Sequence, residues 1–225
     1  MAEHIRVTEP SEGVATLTLD RPQKRNALSV ALRDEVVEAL GRLAHHPAVK
    51  TVVITGAGDV FSAGFDLSEF KQAEQDPDFR ARLWASSDRF HHACLAFPLP
   101  LVAAVNGPAV AGGFDLAVMC DLRVAAEEAT FSHPEMSFGD VIYAPLCDLV
   151  GGAVARELCF TGRVVTAREA LGLRLVSSVV GRAELAAETA RLTALITRAP
   201  REVLVRTKAK AIRDSGVPLL PTLDL

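Results

Sequence analysis

The stretch LVAAVNGPAVAGGFDLAVMCD, residues 101–121, decides the fold that we predict for this chain. Its first five residues are all apolar, which is typical of a strand buried on both faces. Residues 106–108 (NGP) end that strand as a turn. From Phe114 onward the apolar residues recur at helical spacing, so we expect a helix to follow the two glycines at 112–113.

The glycine turn in this stretch has the properties of an anion cradle. A strand, a turn and a helix start expose unpaired backbone N–H groups at the positive end of a helix dipole. Gly112 has no side chain, so a ligand oxygen can come close to the backbone there. Asp115 adds a carboxylate just inside the turn. We interpret the stretch as an anion or oxyanion cradle, and the alternative is that the glycines only allow a helix to pack closely on a sheet.

The composition is that of a soluble globular protein with one domain. Of the 225 residues, 49% are hydrophobic and 23% are charged. A net charge of −4 provides no electrostatic footprint for nucleic acid. No apolar run approaches the roughly 20 residues that cross a bilayer, and the first residues lack the apolar core of a signal peptide. We therefore expect a cytoplasmic protein with no nucleic-acid and no membrane partner.

The cysteines and histidines predict neither disulfides nor a metal site. The four cysteines are scattered without C-x-x-C spacing and have apolar neighbours, which is typical of reduced core cysteines. His91 and Cys94 lie one helical turn apart and His45 precedes His46, but neither pair has further ligands at zinc spacing. We expect no metal.

Strand and helix patterns alternate along the chain, which predicts an α/β domain. We expect strands at 14–19, 51–55, 101–105, 121–126 and 129–132. We expect helices at 28–43, 83–97, 153–160, 167–171, 184–197 and 201–213. The polar residues 72–79 are expected to form a mobile surface segment, and residues 133–135 a loop. The helix that ends the chain carries Lys208 and Lys210, which we expect on a solvated face rather than at a phosphate.

Several separated segments resemble, in order, the crotonase superfamily of enoyl-CoA hydratases and isomerases. They are VVITGAGDVFSAGFDLSEF (52–70), PLVAAVNGPAVAGGFDLAVMCDLRVAA (100–126), ATFSHPEMSFG (129–139) and ELCFTGRVVTAREALGLRLVSSVV (157–180). RPQKRNALS (21–29) resembles the entry of that family into its first long helix. The resemblance covers roughly residues 10–182.

The resemblance implies a fold, an assembly and a substrate class. The fold is a spiral of strand-strand-helix repeats, with residues 1–182 as the acyl-CoA-binding core. Residues 183–225 are a C-terminal helical segment that is shorter than in many relatives. The assembly is a homo-oligomer, a trimer or a hexamer. The substrate is an acyl-CoA thioester, so coenzyme A is part of the substrate and no separate cofactor is expected.

The resemblance also implies the residues of the site. The N–H groups of Phe65 and Gly112 would form an oxyanion hole, a device typically worth several kcal/mol of barrier. Asp115 and Glu135 match the two acids that hold one water. The coenzyme A contacts map to Lys24, Arg25, Ala27, Leu28, Ala63, Asp66, Leu67 and Ser68. The alternative for Leu28 and Leu67 is that they belong to the core. The alternative for Lys24 and Arg25 is that they are solvated loop charges.

The carboxylate pair departs from the family pattern in the length of the Asp115 side chain and in the residues that follow Glu135 in sequence. Two close carboxylates in a partly dry site cannot both ionise easily, so one acts as an acid and the other as a base. Asp115 is one methylene shorter than the usual hydratase glutamate. Tyr143 stands where dienoyl-CoA isomerases of this family carry a third acid, and His133 is a candidate lining residue beside Glu135. Residues 138–150 lack the glycine-rich stretch common after the second acid.

The resemblance implies an enoyl-CoA hydratase that adds water syn across the double bond of a 2-enoyl-CoA. Glu135 would be the principal proton-transfer group and Asp115 its partner on the water. One alternative is an enoyl-CoA or dienoyl-CoA isomerase in which Glu135 shuttles a proton. The other is a non-catalytic acyl-CoA-binding protein, which the short Asp115 side chain and the short C-terminal segment favour.

Overall fold

Two sheets and eight helices build the part of the chain that the computed structural model describes, residues 3–137 and 139–225. The strands are β1 (Ile5–Val7), β2 (Val14–Leu19), β3 (Thr51–Gly56), β4 (Leu101–Val105), β5 (Ala109–Val110), β6 (Leu122–Ala126), β7 (Thr130–Ser132), β8 (Val165–Thr166) and β9 (Ser178–Val180). The helices are α1 (Val30–His45), α2 (Leu67–Gln75), α3 (Pro77–Leu95), α4 (Gly112–Met119), α5 (Ala144–Thr161), α6 (Ala167–Gly172), α7 (Leu185–Thr197) and α8 (Arg201–Asp214).

The larger sheet has the strand order β1-β2-β3-β4-β6-β9. β1 pairs antiparallel with β2, and every following pair is parallel. All five residues of β4 are buried, because helices and loops cover both faces of a parallel sheet. The predicted α/β class and the predicted central strand are confirmed.

Helix α1 covers the core with one face. Ser29 caps its start, since the side chain accepts a hydrogen bond from the backbone N–H of Leu32 at 3.3 Å. The apolar residues that recur along it, Leu32, Val36, Leu40 and Leu43, are all buried. Helix α3 packs against it.

The smaller sheet, β5-β7-β8, positions the start of α4. β5 pairs in parallel with β7, and the N–H of Ala111 donates to the carbonyl of Ser132 at 2.9 Å. On the other side the N–H of Val110 donates to the carbonyl of Ser62 at 2.9 Å. These bonds bring three segments together: the loop that contains Ser62, the first turn of α4, and the residues that follow β7.

The mobile surface segment predicted at 72–79 is wrong, because α2 and α3 occupy it. Asp66 caps α2, and Asp76 caps α3 by accepting from the N–H groups of Asp78 and Phe79, both at 3.0 Å. Each helix buries an apolar residue from this segment, Ala73 and Phe79. Two caps and two buried side chains were enough to order a polar stretch.

The helix predicted at 153–160 is longer and begins at Ala144. Its two parts are separated at Gly151, whose φ of 77° and ψ of 157° are not helical. The loop predicted at 133–135 includes a 3₁₀ turn, Pro134–Ser137. The C-terminal tail ends in another 3₁₀ turn, Thr222–Asp224, which packs against α3. The predicted division between 1–182 and 183–225 stays a prediction.

The cysteines are free, and three of them, Cys94, Cys120 and Cys159, are buried as predicted. Lys208 corrects the prediction of a solvated lysine face, because its side chain is buried and forms an ion pair with Asp121. Among the described residues, no helix has the length and hydropathy that crossing a membrane requires.

Candidate active site

Two backbone amides lie near the start of α4, those of Phe65 and Gly112, because residues 64–65 pack against Gly112. A methyl group on Gly64, the residue before Phe65, would lie 3.1 Å from the nitrogen of Gly112. Within residues 3–137 and 139–225, no acceptor is hydrogen-bonded to either N–H group. Gly112 is the first residue of α4, so its N–H has no partner inside the helix. Two free donors at a helix start are the arrangement that an oxyanion requires.

The backbone on both sides of this pair is held in conformations that orient the amides. Gly64 has a φ of 84°, which a residue with a side chain rarely adopts. Ala111 has a φ of 52° and a ψ of −130°, an unusual combination for alanine. Such strain persists where neighbouring hydrogen bonds fix the backbone, here the bonds from Val110 and Ala111 to the two flanking segments.

Asp115, one turn further along α4, pairs with His133. The imidazole Nε2 of His133 lies 2.9 Å from Oδ1 of Asp115. Both residues are buried, with 5% of Asp115 and 1% of His133 exposed. In the described part of the chain, no hydrogen-bond donor contacts Oδ2 of Asp115, so this oxygen is available to a ligand or a water.

Glu135 lies next to this pair. One carboxylate oxygen each from Asp115 and Glu135 and one ring nitrogen of His133 all lie within 4.8 Å of one another. Oε2 of Glu135 is buried and has no hydrogen-bond partner among the described residues. An unpaired buried carboxylate oxygen is costly when charged, which favours a protonated carboxyl. The structure therefore brings together the two acids that the sequence analysis selected.

Burial and the neighbouring charges shift the pKa values of Glu135 and His133. Burial raises the pKa of Glu135, the charge of Asp115 raises it further, and the resulting pKa is about 7. Burial alone would lower the pKa of His133, but its hydrogen bond with Asp115 and the charge of that residue raise it to about 10. Near neutral pH these values favour an imidazolium at His133 and a half-protonated Glu135. Nδ1 of His133 is buried with no hydrogen-bond partner among the described residues, so the contact with Asp115 must outweigh the cost of that unpaired N–H.

This group also has the composition of a cation site, which the sequence analysis did not find. The 2.9 Å contact between Nε2 and Oδ1 fits an N–H that donates to a carboxylate, whereas a metal-bound imidazole needs the lone pair of that nitrogen. We therefore describe the group as an acid–base centre. The expectation of no metal stays a prediction.

The two loops that carry the expected coenzyme A contacts lie side by side. The N–H of Ala63 donates to the carbonyl of Arg25 at 3.0 Å, and the N–H of Leu28 donates to the carbonyl of Gly64 at 2.8 Å. Of the eight expected residues, Lys24, Arg25, Leu67 and Ser68 are exposed, Ala63 and Asp66 are half-buried, and Ala27 and Leu28 are buried. Leu67 is 63% exposed, so it is not a core residue, whereas Leu28 is.

Asp66 has a structural role that its sequence position does not reveal. It accepts hydrogen bonds from the N–H of Ser68 at 3.2 Å and from the Arg21 guanidinium at 3.3 Å. The first bond caps α2, and the second ties this helix to the loop that precedes α1. These bonds, opposed by partial burial, hold the pKa of Asp66 below its ordinary value.

The ring of Phe65 is packed between charged and aromatic side chains. The Arg33 guanidinium lies 4.3 Å from its centroid, and the imidazole of His91 stacks at 6.1 Å. Arg33 is fully buried and donates to the carbonyls of Leu28 at 3.3 Å and Leu83 at 3.1 Å. Burial lowers the pKa of Arg33 to about 10. Arg33 thus supports the Phe65 ring and one of the coenzyme A loops together.

His91, considered above only as a metal ligand, is buried beside the site on α3. Its Nδ1 lies 2.8 Å from Oγ1 of Thr222 in the C-terminal tail, and its Nε2 has no partner among the described residues. Burial lowers the pKa of His91 to about 4. It is therefore a neutral imidazole near pH 7.

Two features of the site were not predicted from the sequence, the ion pair of His133 and the role of Arg33. His133 was selected as a lining residue, and its ion pair depends on the pairing of β7 with β5, a strand of two residues that was not predicted. The sequence provides only a weak indication that Arg33 is buried, namely a cation directly after Leu32 on the buried face of an amphipathic helix. The structure brings all four candidate catalytic residues together around the first turn of α4. They are Phe65, Gly112, Asp115 and Glu135.

Comparisons with known proteins show the family and the fold of the chain. A family model described as enoyl-CoA hydratase/isomerase matches residues 9–221. A putative enoyl-CoA hydratase of Thermus thermophilus is 38% identical over 89% of this chain and 84% of that protein. A 4-chlorobenzoyl coenzyme A dehalogenase-2 of an Arthrobacter species is 36% identical over 88% of this chain and 73% of that protein. The crystal structure of an enoyl-CoA hydratase/isomerase from Xanthobacter autotrophicus superposes with a TM-score of 0.88 at 32% identity, over 95% of this chain and 80% of that one.

Proposed function

The chain belongs to the enoyl-CoA hydratase/isomerase family, and from that premise we propose that it is an enoyl-CoA hydratase, which adds water syn across the double bond of a 2-enoyl-CoA. The observation that carries the proposal is the pairing of a carboxylate, Asp115, with a half-buried acid, Glu135, whose pKa is about 7. Water addition needs one base and one acid on the same face of the substrate.

The thioester oxygen would lie between the N–H groups of Phe65 and Gly112. As the nucleophile attacks the β-carbon, negative charge moves to this oxygen and an enolate forms. Two preorganised donors aimed at that charge stabilise it without reorganisation, and one such donor is typically worth about 3–4 kcal/mol. Neither amide donates to an acceptor in residues 3–137 and 139–225, which supports this role.

The two acids would divide the proton transfers. Asp115 takes a proton from water as the water oxygen bonds to the β-carbon, and Glu135 gives its proton to the α-carbon as the enolate collapses. The proton then returns from Asp115 to Glu135, and their atoms lie close enough, within 4.8 Å, for a direct or single-water transfer. Because both acids act from one side of the bound chain, the addition is syn.

The paired loops would hold coenzyme A. Lys24 and Arg25 are exposed and cationic, which suits the phosphates, while Ala63 and the exposed Leu67 suit the pantetheine chain. Ala27, Leu28, Asp66 and Ser68 complete the expected contacts. For Asp66 this role adds to its capping of α2. Coenzyme A is part of the substrate, and the proposal includes no further cofactor.

An isomerase is the second candidate, and one observation favours it. Oδ1 of Asp115 is engaged by His133, and the aspartate is shorter than a glutamate, so it reaches less far toward a water. In this alternative Glu135 alone moves a proton from one carbon of an enoyl-CoA to another. Because Glu135 would start as a base, it would have to be ionised.

We also propose a homo-oligomer, a trimer or a hexamer. Phe160 is 69% exposed and Val164 is 58% exposed, and both lie around the end of α5. Large exposed apolar side chains that are close in sequence favour a protein interface. Light scattering after gel filtration measures the assembly. A cytoplasmic location stays a prediction from the sequence.

Isotope labelling tests the proposed reaction. Crotonyl-CoA is incubated with the protein in H₂¹⁸O, and in a parallel experiment in D₂O. Hydration predicts ¹⁸O in the product hydroxyl and one deuterium at the α-carbon. Deuterium exchange without ¹⁸O supports the isomerase. Tight acyl-CoA binding with no turnover, unchanged in Glu135→Gln, supports a binding protein and contradicts both enzymes.

A further inference from the structure

His133 contacts Asp115 in the interior of the protein, where both side chains are buried. Its Nε2 approaches Oδ1 of Asp115 at 2.9 Å, and only 1% of the histidine is exposed. Among the described residues, this is the one cation that is hydrogen-bonded to either acid of the pair. A buried contact of this length between an N–H and a carboxylate is a charge-assisted hydrogen bond.

The imidazole and the backbone of His133 are both restrained by their neighbours. Its ring stacks on Phe114, with centroids 4.6 Å apart and planes at 30°. The backbone of His133 is fixed as well, because its carbonyl accepts from the N–H of Met136 at 3.2 Å. Gly162 packs against the same carbonyl, and a methyl group there would lie 2.7 Å from the oxygen. The position of Nε2 is therefore set by packing from three elements.

We propose that His133 is a positioning residue whose imidazolium keeps Asp115 as the carboxylate and so assigns the single proton of the carboxyl pair to Glu135. This inference rests on the proposed function, because it explains how two similar acids receive opposite roles. Without a cation beside one of them, one proton shared by two neighbouring carboxyls has no strong preference for either. A cation that contacts only Asp115 removes that ambiguity.

The charges around the pair support this assignment. The hydrogen bond and charge of Asp115 outweigh burial and raise the pKa of His133 to about 10. The other titratable groups that face His133 are Cys159 on α5 and Glu135 itself. The charge of Asp115 also acts on His91 on α3, but burial lowers the pKa of His91 to about 4, so it is neutral and does not compete for the carboxylate.

The first test measures the ion pair without turnover. Nitrogen-15 NMR of histidine-labelled, substrate-free protein follows the protonation of His133, assigned by its loss in His133→Gln. We expect an imidazolium that persists to about pH 10 in the wild type. We expect Asp115→Asn to lower that pKa by at least about one unit, because the partner charge is lost. A His133 that titrates near 6.5 in both proteins would overturn the proposal, whatever reaction the protein catalyses.

The second test separates positioning from a merely structural role. Gln places an amide nitrogen near the position of Nε2 but carries no charge, so His133→Gln keeps a donor and loses the cation. We expect kcat for hydration to fall at least about tenfold, with KM within about twofold, because proton transfer and not binding is impaired. The pH at which activity falls, set by ionisation of Glu135, should rise above about 7, because the His133 cation that lowers the pKa of Glu135 is gone.

His92→Gln is the matched control, since His92 is an exposed histidine on α3. It should retain the wild-type pH profile and kcat. A His133→Gln protein that loses kcat with an unmoved pH limb would overturn the proposal, as would one with unchanged kcat. If His133→Gln fails to fold, the His133 signal is assigned by elimination with single Gln variants of the other five histidines, and the NMR titration of the wild type and of Asp115→Asn still decides the question. If the wild type does not turn over enoyl-CoA, the proposed function fails and the same titration reports on the ion pair alone.

Discussion

The amide nitrogen of Gly112 lies against Gly64, so closely that a methyl group on Gly64 would be 3.1 Å from it. The same methyl group would be 2.8 Å from the carbonyl oxygen of Val110 and from Cβ of Ala111. The φ of 84° at Gly64 adds strain for any residue with a side chain. This contact joins the two halves of the proposed oxyanion hole, so a change at Gly64 acts on both donors.

Gly64→Ala should therefore lose activity and some stability. We expect kcat/KM for crotonyl-CoA hydration to fall by at least about 100-fold, the typical cost of losing one oxyanion donor. The free energy of unfolding should fall by about 1–3 kcal/mol because of the strained φ. Steady-state kinetics and urea unfolding measure the two effects.

Gly41→Ala is the control, since Gly41 lies in α1 with nothing within 4 Å of an added methyl group. It should keep full activity and gain up to about 1 kcal/mol from helix propensity. A Gly64→Ala enzyme with wild-type kcat/KM would show that these amides do not bind the oxyanion.

The pH dependence of kcat/KM distinguishes hydration from isomerisation. Hydration uses Glu135 as the acid, so activity should fall as the pH rises through about 7, the pKa of Glu135. An isomerase that uses Glu135 as the base should gain activity through the same interval. Glu135→Gln should abolish this limb in either case. A hydratase whose kcat/KM rises through pH 7 would contradict the assigned roles.

His91 should destabilise the protein as the pH falls. Its pKa is about 4 in the folded state and about 6.5 in the unfolded state. Between these values the unfolded state binds more protons, so the free energy of unfolding decreases as the pH falls from 6.5 to 4. We expect a loss of up to about 3 kcal/mol from this residue. Urea unfolding at pH 7 and pH 5 should show a smaller difference for His91→Gln than for the wild type.

His92, the next residue on α3, provides the control for urea unfolding at the two pH values. His92→Gln should leave the difference between pH 7 and pH 5 unchanged, because His92 is exposed. An equal pH dependence in His91→Gln and the wild type would show that His91 is not held neutral by burial.

Arg33→Met should destabilise the protein by about 3 kcal/mol or more, because it leaves buried carbonyl groups without donors. The carbonyls are those of Leu28 and Leu83, and the Phe65 ring also loses the guanidinium 4.3 Å from its centroid. KM for the acyl-CoA should rise, since Leu28 belongs to the proposed coenzyme A loop. Arg42→Met, at an exposed arginine on the same helix that pairs with Glu38, should cost less than about 1 kcal/mol. Equal unfolding free energies for the two variants would contradict the role of Arg33.

The fold was predictable where the pattern of burial is strong. The all-apolar β4 and the amphipathic α1 are confirmed with nearly their predicted bounds. The predicted crotonase-like α/β fold is confirmed by the solved structure from Xanthobacter autotrophicus. The polar segment at 72–79 was not predictable from periodicity, because within it only Ala73 and Phe79 are buried and the helix starts depend on capping aspartates.

The candidate site was predictable only in part, because its parts come together through tertiary pairing. Gly112 and Asp115 were selected from the glycine turn itself and Phe65 and Glu135 from a family resemblance, and the structure places all four around one turn of helix. The partner of Asp115 was not predictable, because His133 reaches it only through two-residue pairing between β5 and β7. Burial of Arg33 and Lys208 was missed for a related reason, since surface exposure is the default for a cation.

The most direct test of the account is a crystal structure with 3-hydroxybutyryl-CoA bound. The account predicts the thioester oxygen at about 3 Å from the amide nitrogens of both Phe65 and Gly112. It also predicts a carboxyl oxygen of Glu135 beside the α-carbon, and the 3-hydroxyl within hydrogen-bond distance of Asp115. A thioester oxygen bound elsewhere, or a Glu135 side chain turned into bulk solvent, would contradict the proposed mechanism.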